Sequence, residues 1–169
     1  MRLIREDLIA PGPMARVFAL IAWLALLALA LLAGQGHSAP APVPGVIVIN
    51  EVEYDPIQAG NDTDWEWLEL YNTTNNPITL SGWRLSDNGG EDPIPTIITL
   101  PPYGYAVVAA STAFFQNYPN FSGTIVFLNS PIGNGLSNSG DRLILRDGSG
   151  AVIDALSYGN DTAIFNCNG

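Results

Sequence analysis

The sequence contains no lysine, one histidine (His37) and one cysteine (Cys167). All six basic residues are arginine. Without lysine there is no Schiff-base nucleophile and no lysine to cradle a phosphate. His37 sits just behind an N-terminal apolar run. The rest of the chain therefore has no histidine base, no histidine metal ligand and no Ser-His or Cys-His pair. A single cysteine excludes an internal disulfide. Cys167, close to the C-terminal end, is either a spare thiol or a link to another chain. Neither a phosphate loop nor a dinucleotide fingerprint occurs. Six positive residues face sixteen negative ones, which excludes an electrostatic nucleic-acid binder. An acid pair remains the one route to hydrolysis, and its members would come from distant positions.

What is present divides the chain in two. The 169 residues are 47% hydrophobic with a net charge of −10, which suits one ordinary domain and excludes a disordered polyelectrolyte. Those averages mix unlike segments. Val17 to Ala33 is an unbroken apolar run preceded by Arg2, Arg5 and Arg16 and followed by small polar residues. This is the pattern of an export leader, so residues 1–38 are expected to be a signal peptide or a signal anchor. Gly34 with Gly36, or Gly36 with Ser38, supplies the small residues that a cut requires. If the run stays uncut, residues 17–33 hold the chain in the membrane and the following domain lies outside. Both outcomes place the domain outside the cytoplasm, secreted or anchored. Residues 39–45 carry prolines at alternate positions and form a stiff, extended spacer.

Residues 46–169 form an acidic all-β domain. Arg84, Arg142 and Arg146 face fourteen acids there, a net charge near −11. The pattern has period two: Val46–Val52, Trp65–Asn72, Trp83–Asp87, Ile94–Leu100, Tyr105–Ala110, Thr124–Leu128, Arg142–Asp147 and Ala151–Tyr158 read as strands. Leu68 and Leu70 share one face, and Leu143 and Leu145 are expected to point inward. Turn signals separate the runs, and Ser111–Asn117 reads as a helical turn. Many short strands at this spacing argue a sandwich or barrel.

Two clusters invite a functional reading. Asp62, Asp64 and Glu66 place carboxylates at alternate positions, as calcium loops do. Trp67 stands where an EF-hand loop needs glycine, so a solvated acidic loop is the competing reading. No other cofactor is expected. Trp65, Trp67 and Tyr71 form an aromatic row opposite the core face. The row is either a stacking surface for a glycan or protein partner, or it lies beneath a second layer. Asn61, Asn72, Asn120 and Asn160 each begin an Asn-x-Ser/Thr sequon.

Five segments in order resemble the lamin-tail domain family, in its exported bacterial type. They are Ile47–Val52, Trp67–Asn72, Leu80–Asp87, Leu136–Asp147 and Gly150–Tyr158, together spanning roughly residues 46–160. The resemblance implies an immunoglobulin-like β-sandwich and a binding or attachment module in place of a catalyst. It implies a protein or cell-envelope glycan partner and no nucleic acid. Related domains are accessory parts of exported proteins, some of them nucleases or phosphoesterases. Family members continue beyond the segment matching Asp161–Asn166, so this chain is expected to be truncated or to leave its last edge open. Three readings stand: a non-enzymatic extracytoplasmic module, a calcium-stabilised surface module, and the orphaned accessory domain of an exported hydrolase.

Overall fold

The computed structural model describes residues 45–58 and 61–164. The expected leader over 1–38, the spacer through residue 44, and Cys167 lie outside the described residues. Within them the regular secondary structure is almost entirely β-strand. The strands are β1 (Ile47–Glu53), β2 (Trp67–Asn72), β3 (Ile78–Leu80), β4 (Arg84–Ser86), β5 (Glu91–Pro93), β6 (Ile98–Leu100), β7 (Tyr105–Ala109), β8 (Thr124–Phe127), β9 (Gly140–Arg146) and β10 (Val152–Gly159). One short helix, α1 (Phe114–Asn117), lies between β7 and β8, and a 3-10 turn spans Asp62–Asp64.

The strands make a four-stranded sheet in the order β1-β2-β7-β8, another in the order β10-β9-β4-β5, and a two-stranded pair, β3-β6. All pairings are antiparallel except β7 with β8. Alternation works as expected on both large sheets. Leu68, Leu70, Ala106 and Val108 of the first join Leu85, Leu143, Leu145 and Ile153 of the second in one buried cluster, with Trp83 and Ile132. Arg84, between Trp83 and Leu85, is exposed. Burying each such aliphatic side chain is worth roughly 1.5–3 kcal/mol. This architecture is consistent with the expected immunoglobulin-like sandwich.

Three differences from the sequence reading have local causes. β3 and β5 were not anticipated, since three residues are too few for alternation to register. β5 ends on Pro93 and occupies a sheet edge, where a missing N–H is tolerated. The expected Ile94–Leu100 strand shrinks to its last three residues, because Pro93 and Ile94 still pair back toward β4 and Pro95 has no N–H with which to extend a ladder. The expected strand start at Trp65 moves to Trp67, since the Trp65 N–H closes the 3-10 turn onto the Asp62 carbonyl.

Asn72 ends β2 and is fully buried. Its Nδ2 donates to the carbonyls of Asn76 (2.8 Å), Leu100 (3.3 Å) and Pro101 (2.8 Å). Its Oδ1 accepts from the Thr74 N–H (3.0 Å) and hydroxyl (2.8 Å). One amide thereby satisfies backbone groups from two separate loops. Asn72→Ala strands several buried partners at once and is expected to cost about 3 kcal/mol in urea unfolding. Asn50→Ala removes an exposed contact to Glu69 and is expected to cost under about 1 kcal/mol in the same measurement.

Candidate functional site

The parallel β7–β8 pair requires a crossover, and that crossover shapes the outer face of the first sheet. It carries α1, whose Phe114 is buried against the sheet with Val107, Ala109 and Trp67. Ser111 starts the turn by accepting the Ala113 N–H on its hydroxyl (3.0 Å). Trp67 meets Phe114 edge-on at 5.9 Å between ring centroids and Tyr118 edge-on at 5.7 Å. Phe114 stacks on Tyr118 at 4.7 Å.

This layer splits the expected aromatic row. Trp67 is only 8% exposed and serves as packing under α1. Trp65 is half-buried beside the 3-10 turn. Tyr71, at the uncovered end of β2, is half-buried and stacks on Tyr105 at 4.6 Å. The open aromatic surface is therefore Tyr71 with Tyr105 (50% exposed), and Tyr103 stands 56% exposed in the preceding turn. Tyr103 has φ +54°, an uncommon backbone state for a bulky residue. A usable signal lay in Pro101-Pro102-Tyr103-Gly104-Tyr105: two tyrosines flanking a glycine at a strand start.

The acidic trio is likewise divided. Asp62 Oδ2 accepts from Asn138 Nδ2 (3.0 Å), which also donates to Asp55 Oδ1 (2.9 Å). Asp64 is exposed, and its carbonyl accepts the Ser111 hydroxyl (2.8 Å). Glu66 turns inward and is 1% exposed. Its Oε1 accepts the Leu136 N–H (3.0 Å), while its Oε2 has no hydrogen-bond partner. Among the described residues no group of three or more His, Cys, Asp and Glu is arranged to hold a metal ion.

Other carboxylates tie loops together. Asp87 accepts the N–H groups of Gly89 and Gly90 within its own hairpin and that of Asn134 (2.8 Å) across the domain. Asp92 accepts from the Gly133 N–H (2.6 Å). Asp141 accepts from the N–H groups of Asn88 (3.3 Å), Ser137 (3.2 Å) and Arg142 (2.8 Å). Gly133 is required here: its φ is +62°, and a Cβ would run into the Asp87 carboxyl group. Asp147 accepts the Ser149 hydroxyl and the N–H groups of Ser149 and Ala151, which hold its carboxyl below the usual carboxylate range.

A concave hollow of about 450 Å³ opens between the segment following β1 and the C-terminal end of α1. Glu53, Gln58, Gln116, Asn117 and Tyr118 supply its polar and aromatic walls, with Pro56 and Ile57 between them. Gln58 Nε2 donates to Asn117 Oδ1 (2.8 Å) across it. Its two walls are about sixty residues apart in sequence, so no local motif announced it.

Burial, with a smaller push from nearby Asp62, raises the Glu66 carboxyl to about 7 against the lowering pull of the Leu136 N–H. The folded protein thus binds more protons than the unfolded chain between about pH 4.5 and 7. Stability is expected to fall as pH rises through that window, by up to ~1.4 kcal/mol per pH unit. Glu66→Gln keeps an acceptor for Leu136 and removes the titration, so its melting temperature should lose this slope across pH 4.5–8. An equal slope in the variant would assign the proton to another group.

A family model described as Lamin Tail Domain matches residues 40–160. No curated protein matches the chain. The match covers the two sheets, the crossover and the carboxylate-tied loops, and the chain belongs to the lamin tail domain family.

Proposed function

We propose that this protein is a non-enzymatic attachment module of the exported bacterial type, carried across the membrane by residues 17–33 and acting outside the cytoplasm. The use made of its carboxylates supports this reading most. Asp87, Asp92, Asp141 and Asp147 each have oxygens committed to backbone N–H groups of loops. Such acids stabilise a scaffold and are poorly placed to shuttle protons in catalysis. The arginine-flanked apolar run supports export, and the net charge near −11 after it opposes contact with nucleic acid. Tyr71, Tyr103 and Tyr105 offer an amphipathic patch suited to a partner surface.

Expression of the full chain in a bacterial host tests the reading. The protein is expected in the membrane fraction or the medium, with its domain cut by protease added to intact cells. N-terminal sequencing then separates a cleaved leader from a retained anchor. A chain found soluble in the cytoplasm and shielded from external protease would overturn the export reading.

A further inference from the structure

We propose that the hollow between β1 and α1 binds a neutral, hydroxyl-rich saccharide, the ligand through which the attachment module reads its surroundings. The inference rests on the attachment reading for its biological setting and on the chemistry of the hollow for its ligand.

Size comes first. At about 450 Å³ the hollow falls within the roughly 300–1,000 Å³ of ordinary small-molecule sites. Its hydrogen-bonding groups are three primary amides and one carboxylate: Gln58, Gln116, Asn117 and Glu53. An amide presents donors and an acceptor side by side, and a carboxylate presents acceptors only. Hydroxyls both donate and accept, so adjacent hydroxyls on a sugar ring match this set. Gln58 Nε2 and Asn117 Oδ1 bond each other and Gln58 Oε1 is buried, which leaves the exposed Gln116 amide and the Asn117 Nδ2 for a ligand.

Charge narrows the ligand. No arginine lines the hollow. Arg84 pairs with Glu91 (2.7 Å), Arg142 with Asp161 (3.2 Å), and Arg146 donates to the Gly150 carbonyl. Glu53 is the one charged residue that lines the site. A sulfated or phosphorylated ligand would meet negative charge with no compensating cation. A strongly cationic ligand would find one carboxylate among amides, too little to repay its desolvation.

The apolar groups fit the other half of a sugar. Pro56 is buried, and Ile57 projects 97% exposed beside it. The exposed side of Tyr118 faces the opening, and its ring is held by stacking on Phe114 and edge contact with Trp67. A ring already fixed by packing costs little further ordering when a ligand's C–H face settles on it.

The test is titration of the purified full chain with two neutral tetrasaccharides, cellotetraose and the N-acetylglucosamine tetramer. A sulfated heparin tetrasaccharide serves as the charged control. Binding is followed by calorimetry and by tryptophan fluorescence, since Trp67 touches Tyr118. Saturable binding of a neutral tetrasaccharide at millimolar or lower concentration is expected, with no binding of the sulfated one. Gln116 and Asn117 are exposed, so the pair Gln116→Ala, Asn117→Ala should leave melting unchanged and weaken binding about tenfold or more. Failure of both neutral sugars to bind overturns the proposal, as does equal binding of the sulfated control. Binding that survives the double variant and is lost in Tyr105→Ala also overturns this site while leaving the attachment reading intact. Conversely, saccharide binding by a chain that fractionation places in the cytoplasm would sustain the site and remove the export reading.

Discussion

The domain depends on carboxylates that accept hydrogen bonds from backbone N–H groups. Its strands are short, four of them (β3, β4, β5 and β6) only three residues long, so much of the chain is loop. Loop backbone must still find partners. A disulfide is excluded by the single cysteine, and short turns alone cannot fasten one loop to another. Asp87 and Asp92 fasten the Gly133–Asn134 segment to the β4–β5 hairpin, and Asp141 fastens the same hairpin to the start of β9. Asp154 of β10 accepts the Ile49 N–H of β1 (2.8 Å), tying the two large sheets at one seam. A charged acceptor forms a stronger bond than a neutral one, which compensates for the few bonds each loop can make.

That arrangement changes the meaning of the acidic composition. A net charge near −11 reads first as a solvated, repulsive surface. Yet Glu66, Asp87, Asp141 and Asp147 are buried. A good share of the charge is internal fastening, and it demands loop residues that can present N–H groups closely. Glycine and asparagine at 88–90 and 133–134 serve that purpose. Glu66 is the exception, because its burial outweighs the one bond it accepts, whereas Asp147, which also leaves one oxygen unpartnered, has three donors on the other. Glu66 is therefore the acid whose proton is most strongly retained.

The fold was legible wherever five or more residues alternated. The Leu68/Leu70 and Leu143/Leu145 faces follow from local pattern. Five ordered segments then carried the family. Three-residue elements were legible only inside a longer run, as β4 and β6 were; β3 and β5 were not, because their existence depends on a neighbour's edge. Sites fared worse for the same reason. Alternation correctly placed Trp67 and Tyr71 on one face of β2, but it could not say that a crossover would cover one and leave the other open. It also grouped Asp62, Asp64 and Glu66 as one loop, whereas the 3-10 turn sends the first two toward solvent and Glu66 into the interior.

The crossover therefore links fold to function. A parallel β7–β8 pair obliges the chain to leave the sheet and return, and the returning segment must bury its own aromatics. Phe114 does so on Trp67, and once it is seated the end of α1 projects past the sheet rim beside the segment after β1. The hollow is the space that those two segments leave around the Gln58–Asn117 bond bridging them. The same covering stops short of Tyr71 and Tyr105, leaving them open at the far end of β2. One topological requirement thus yields two distinct surfaces on one face: a polar recess with a fixed aromatic wall, and an exposed tyrosine pair. Evolution of the 111–123 segment can alter the recess without disturbing the inter-sheet core, because Trp67, Val107, Ala109 and Phe114 belong to a cluster separate from that core.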